Sequence, residues 1–235
     1  MKFLPSLVVA CCLATPGALF GQAPAAPAPA ASPAKTGSSP AKGKAKQATP
    51  EPNATFPAEI DAGVIEILRK AHAAQRAKGS FRAQIESSAP GGAVLPSMVM
   101  EVVIPDRVRL KRSGVEIIAV GSKAMVRKGD VWEPAPPEIA KAFGSFDDPK
   151  AVEEMLGKSI FAKSLGQARL EQTVVDSYEL HFKTKTGVTK SKFFITPDDN
   201  LIRRLESKTE VGGKTASATL VFADYGAPIQ IELPK

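Results

Sequence analysis

Alternation dominates the chain. Between Ser97 and Trp132, Met98, Met100, Val102 and Ile104 alternate with Val99, Glu101 and Val103 until Pro105-Asp106 breaks the run. Val108 and Leu110 then alternate with Arg107, Arg109 and Lys111, and Ser113-Gly114, Gly121-Ser122 and Gly129-Asp130 separate the further runs VEIIAV, KAMVRK and Val131-Trp132. Strand side chains point to opposite faces with period two. Runs this close together can be joined only by tight turns, so they pair antiparallel. The pattern predicts a meander with one apolar face and one charged face. A strand over SFRAQIESS precedes it. A second meander follows in ARLEQTVVDS, YELHFKTK, VTKSKFFITP, NLIRRLESKTEV and KTASATLVFADYG, with IQIELP as a short closing strand.

Two regions carry the helical period instead. From Pro57 to Lys78, Ile60, Val64, Ile65, Ile67, Leu68 and Ala71 form one stripe, and Gly79 marks the end. After Trp132, prolines end the sheet. PPEIAKAF then predicts a short helical turn, and DPKAVEEMLGKSIFAKSL a second amphipathic segment. An insertion between two meanders is expected to lie across an open sheet. Roughly ten strands in one sheet should curl, and a curled sheet has a concave face that must be filled or covered. Periodicity is the same for a filled sandwich and for an open groove.

Composition divides the chain. Residues 1–23, with Lys2 ahead of FLPSLVVACCLATPGALF, read as a cleaved signal peptide. A competing reading takes Val8-Val9-Ala10-Cys11 as a lipobox-like site for a lipid anchor. Residues 24–56 are an Ala/Pro-rich tether with almost nothing to build a core. Residues 57–235 are long enough for one domain with a sizeable core. Cys11 and Cys12 both lie in the leader, so that domain folds without a disulfide. Of the net charge of +7, Lys2 supplies one, and Lys35, Lys42, Lys44 and Lys46 against Glu51 a further three. The remaining domain is only mildly basic, and interleaved aromatics for stacking bases are absent, so nucleic acid is not an expected partner.

Candidate chemistry is sparse. His72 and His181 have no ligand-type neighbours at metal spacing. Glu153-Glu154 and Asp147-Asp148 are adjacent pairs, which do not share a helix face. No nucleophile elbow, phosphate loop or dinucleotide fingerprint occurs. The expectation is a protein that is no enzyme and needs no cofactor or metal. Arg107, Arg109, Lys111, Arg112, Arg127 and Lys128 crowd the first meander and Lys190, Lys192, Arg203 and Arg204 the second, either as ordinary solvent faces or as the rim of a mouth that attracts phosphate headgroups.

The order of elements resembles the LolA/LolB lipoprotein-carrier superfamily, including the mycobacterial LppX/LprG-type lipid carriers. The resemblance covers about residues 57–235. It is carried by the amphipathic leading helix, SFRAQI, IPDRVRLKR, GVEIIAVGSKAMVRKGDVWEP, the hairpin FFITPDDNLIRRLES and the closing LVFADYGAPIQIELP. It implies an α+β fold in which a curved antiparallel sheet forms an incomplete β-barrel, covered by an N-terminal helix and a mid-chain helical lid, and holds acyl chains. On that reading the groove is lined by Met98, Met100, Val102, Val108, Leu110, Met125, Phe182, Phe194 and Phe222. The lid carries Phe143, Phe146, Met155 and Phe161, and Arg107 and Arg109 are the headgroup candidates. The expected function is an exported, periplasmic or secreted, carrier or binder of lipid or lipoprotein acyl chains. It would act as a monomer, with a membrane-surface or envelope-protein partner. The competing expectation is a non-catalytic structural or interaction protein of the cell envelope.

Overall fold

The computed structural model describes residues 59–144, 148–184 and 187–234. The expected signal peptide, tether and Phe146 lie outside these. The described chain forms α1 (Ala62–Lys78), β1 (Ser80–Ser88), β2 (Val94–Val103), β3 (Arg107–Arg112), β4 (Val115–Val120), β5 (Lys123–Lys128) and β6 (Val131–Pro134). It continues through α2 (Pro137–Gly144), α3 (Pro149–Gly157), β7 (Ser159–Leu170), β8 (Thr173–Lys183), β9 (Val188–Ile195), β10 (Ile202–Val211) and β11 (Lys214–Ala223). The strands make one antiparallel sheet ordered β6-β5-β4-β3-β2-β1-β11-β10-β9-β8-β7. It is two meanders zipped together where β1 pairs with β11. The sheet is curved and does not close, an incomplete barrel with the three helices of the described residues on one face.

Local chemistry sets the boundaries. Asp61 caps α1 by accepting from the Gly63 N–H at 2.8 Å. Ile60, expected inside the helix, instead makes a parallel bridge to Ala162 of β7. At the other end Gly79 adopts φ 76 and turns the chain directly into β1, a conformation that costs glycine little. Asp148 caps α3 in the same way, accepting from Lys150 N–H at 3.0 Å.

Three expectations are corrected. Ile160 and Phe161, read as helical, belong to β7, because the helix stops at Gly157 and an alternating run begins at Ser159. ARLEQTVVDS is not one strand, since Glu171 takes φ 53 in the turn that joins β7 to β8. IQIELP forms no strand. There the chain lies irregularly, with Ile231 buried and its carbonyl accepting from the Arg107 guanidinium at 3.1 Å.

Candidate functional site

The register sorts every strand residue onto one of two faces. Phe81, Ala83 and Ile85 of β1 face the helices. Pairing carries that inner face to Val102, Met100 and Met98 on β2, then to Val108 and Leu110 on β3. It continues to Ala119 and Ile117 on β4 and to Ala124 and Val126 on β5. In the other direction it passes through Phe222, Leu220 and Ala218 on β11 and Leu205, Ser207 and Thr209 on β10. From there it reaches Phe193, Ser191 and Thr189 on β9, and Tyr178, Leu180 and Phe182 on β8.

Met98, Met100, Val102, Val108, Leu110, Phe182 and Phe222 therefore share the inner face. Met125 and Phe194 do not. Met125 pairs with Ile118 on the outer face, and Ala124 and Val126, its smaller neighbours, take the inner positions. Phe194 pairs with Arg204 and lies under cations on the outside, 6.0 Å from the Arg204 guanidinium and 4.9 Å from Lys192 Nζ. Phe161 is likewise external, stacked on His181 at 4.6 Å, so it is no part of a lid.

The arginine expectation is corrected too. Arg107 holds the C-terminal segment. Arg109 stands in an outer-face ladder of alternating charge. Asp224 pairs with Arg82 (2.8 Å), Arg82 with Glu101 (3.0 Å), Glu101 with Arg109 (3.1 Å), Arg109 with Glu116 (3.4 Å) and Glu116 with Arg127 (2.9 Å). The ladder ends with Arg127 over the Trp132 ring at 5.6 Å. Burial pushes the Glu101 carboxyl up, but hydrogen bonds from Arg82 and Arg109 outweigh it and hold the group below its ordinary value. Neither arginine points into the concavity, and each has an internal partner.

The inner face has two levels. In the lower half, toward Ser80 and Ala223, large side chains fill the floor: Phe81 and Phe222 lie 5.7 Å apart and Tyr225 is 5.8 Å from Phe81. The Tyr225 hydroxyl donates to the Ile202 carbonyl at 2.5 Å, and burial pushes its phenol far above the usual range. Helix α1 crosses from β7 to the foot of β1 and buries Val64, Leu68 and Ala71 there. In the upper half the floor of β9 and β10 is small and hydroxylic. Ser191 bonds Ser207 at 2.9 Å and Thr189 bonds Thr209 at 3.0 Å. Helix α2 packs on β3, β4 and β5 with Ile139, Ala140 and Phe143 buried. Helix α3 is strung between α1 and the top of β7. Its Leu156 is buried, Val152 and Met155 are half-buried against the core, and Glu153 receives a two-pronged hydrogen bond from Arg69 Nε at 2.8 and 3.0 Å. Phe143 and Met155 thus lie on the helical cover.

Along β2–β4 the apolar wall runs from buried to open. Met100, Val102 and Val108 are 1–2 % exposed, whereas Met98, Leu110 and Val115 at the upper ends are half-buried. By register, Arg112 and Lys128 share this upper inner rim. Sequence reasoning placed both among the cations that could flank a mouth but preferred Arg107 and Arg109 as headgroup candidates, missing the signal that separates them. The signal was their place one strand-period beyond Leu110 and Val126, at the turn-proximal ends of their strands. The small hydroxyl floor was missed as well, because serine and threonine in an alternating strand look like solvent positions. Among the described residues no group of three or more His, Cys, Asp or Glu could hold a metal, and no helix is long and apolar enough to cross a membrane.

No protein-family model and no curated protein matches the sequence. Solved structures do. The chain is similar to the Mycobacterium tuberculosis lipoprotein LppX at 12 % identity and a TM-score of 0.53, over 74 % of this chain and 100 % of that one. It is similar to LprF of Mycobacterium bovis at 13 % identity and a TM-score of 0.51, over 74 % and 98 %. The fold is the one seen in those two structures. At this identity the likeness to LppX and LprF speaks for the architecture, and the chemistry must be read from this chain's own inner face.

Proposed function

We propose that the protein is an exported carrier or binder that holds the acyl chains of a lipid or lipoprotein between the upper inner face and the α2–α3 cover. The carrying observation is the apolar wall of Met98, Met100, Leu110, Val115 and Ile117, which passes from full burial to a half-buried rim where Arg112 stands between Met98 and Val115. Such a wall lowers its free energy when hydrocarbon covers it. Each buried methylene contributes about 0.8 kcal/mol, so a single long chain supplies useful affinity. Methionines adapt to irregular chains. Arg112 and Lys128 at the rim stand where an anionic headgroup would emerge, in place of Arg107 and Arg109. No bond is made or broken: binding is burial and release is opening of the cover. The likeness in fold to LprF and to LppX, a lipoprotein by name, agrees with this reading. In it residues 1–23 direct export, residues 24–56 form a tether, and the carrier works as a monomer that passes its cargo between envelope membranes.

Native mass spectrometry of the full chain purified from cells tests the proposal. It predicts lipid-sized adducts that are displaced stoichiometrically by a fluorescent fatty acid. Protein that emerges free of lipid and ignores the probe would leave only the reading of a non-catalytic envelope scaffold.

A further inference from the structure

The upper floor of the concavity departs from the rest of the inner face. One cross-strand row reads Ile85–Leu220–Leu205–Phe193–Tyr178. The next row up reads Ser87–Ala218–Ser207–Ser191 on the first four of these strands and ends on the apolar Leu180 of β8. All four of these residues are buried, with Ser87 at 7 %, Ala218 at 6 %, Ser207 at 6 % and Ser191 at 1 % exposure. The Ser191–Ser207 pair uses one of its two hydroxyl protons for its internal bond. Among the described residues Ser87 Oγ has no hydrogen-bond partner. A buried hydroxyl without a partner is costly, and native interiors rarely keep one without a use. Ser88, next along β1, shows the contrast: it faces outward and is satisfied by Ser217 at 2.8 Å.

We propose that the Ser87–Ala218–Ser207–Ser191 row is a polar register inside the groove, which holds a hydrogen-bonding oxygen carried on an otherwise apolar lipid. This rests on the carrier reading and narrows it. The cargo is a lipid whose ester carbonyl or hydroxyl enters the concavity with its chains, in preference to a plain hydrocarbon chain. Ala218 keeps the row shallow, so a carbonyl or hydroxyl oxygen can approach the flanking serines from above. Ser87 O–H then donates to the guest oxygen, and the spare Ser191–Ser207 proton offers a second donor beyond Ala218. The row below it is Ile, Leu and Phe except for Tyr178 at its β8 end, so beneath the serines a guest meets mainly hydrocarbon. A guest would therefore be fixed in depth as well as in place.

Competition against a bound fluorescent fatty acid tests this with two matched pairs of lipids. Stearate against a mid-chain hydroxystearate isolates the hydroxyl. Dialkylglycerol ether against the diacylglycerol of the same chain length isolates the ester carbonyl. The full chain is expected to prefer the oxygen-bearing member of at least one pair by about fivefold, and the pair that shows the preference identifies the source. In the Ser87→Ala/Ser207→Ala protein that preference should fall to parity while stearate binds as before. The control Ser88→Ala/Ser217→Ala should keep it. Equal displacement within both pairs by the unaltered protein overturns the polar register and leaves the carrier standing. A preference that survives Ser87→Ala/Ser207→Ala also overturns it. Failure of every lipid to displace the probe overturns the carrier reading itself.

Discussion

The two halves of the inner face are built from one sheet and covered by helices, yet they are constructed differently. The lower half is closed by a helix anchored at both ends. Residue 60 is bridged to β7, and the αL glycine at the other end leads straight into β1. Aromatic and leucine side chains fill the space beneath it. In the upper half the floor of β9, β10 and β11 is serine, threonine and alanine. On the β7 side it is covered by nine-residue α3, whose one fully buried side chain is Leu156 and whose tie to α1 is the exposed Arg69–Glu153 pair. The difference points to a division of labour: large packed residues below fix the fold, and on the proposed reading the small floor with its light cover above is the part that opens to a guest. A protein interior is close-packed where stability is set, and segments that move are drawn from its least buried parts.

Breaking the lower half should have the largest effect. Phe81→Ala removes a ring that is 1 % exposed and should destabilise by about 3–5 kcal/mol, read as a lower denaturant midpoint. A loss under about 1 kcal/mol would erase the contrast between the halves. The outer face supplies the next effect. Glu101→Gln leaves Arg82 and Arg109 without their shared carboxylate and should cost about 2 kcal/mol. Because the folded-state pKa of Glu101 is lowered, its contribution is full above the ordinary value of 4.5 and is lost as pH falls through the lowered value. Stability against pH should therefore drop more steeply on the acid side in the natural protein than in Glu101→Gln.

The upper half should respond in function more than in stability. Leu156→Ala truncates the buried contact of α3, but the loss is limited to docking of that short helix. A midpoint change near 1–2 kcal/mol is expected, smaller than for Phe81→Ala, together with faster release of a bound fluorescent fatty acid in stopped flow. Smallest of all, Arg69→Ala should leave the midpoint where it is, because the pair is exposed. It should still speed probe release, as high salt should for the natural protein. Equal release rates in both proteins at low salt would show that the pair has no part in holding the cover.

Much of the fold could be read directly. Strict alternation in SFRAQI, SMVMEVV and RVRL assigned the faces of β1, β2 and β3 correctly, since each has one apolar and one polar set. It failed where both faces are apolar. In KAMVRK the large Met125 drew the assignment, but the register from Ile117 to Val126 decides it. In Phe193-Phe194-Ile195 three successive apolar residues carry no alternation, and only pairing with Leu205 shows that Phe193 is inside. Phe161 was misread because α3 and β7 adjoin with no break beyond Gly157, so a helical stripe could be extended into a strand. The arginines of IPDRVRLKR were legible as a charged face, but not as a neutralised ladder. That required their carboxylate partners Glu101 and Glu116, which come from other strands.

Photocrosslinking with a diazirine fatty acid, mapped by peptide mass spectrometry on the full chain, tests the central claim most directly. The account predicts adducts on the upper inner wall and its cover, at Met98, Leu110, Val115, Val152 and Met155, and lost in competition with unlabelled lipid. Adducts concentrated on the outer face around Val99, Met125 and Phe194, or spread evenly without competition, would contradict it.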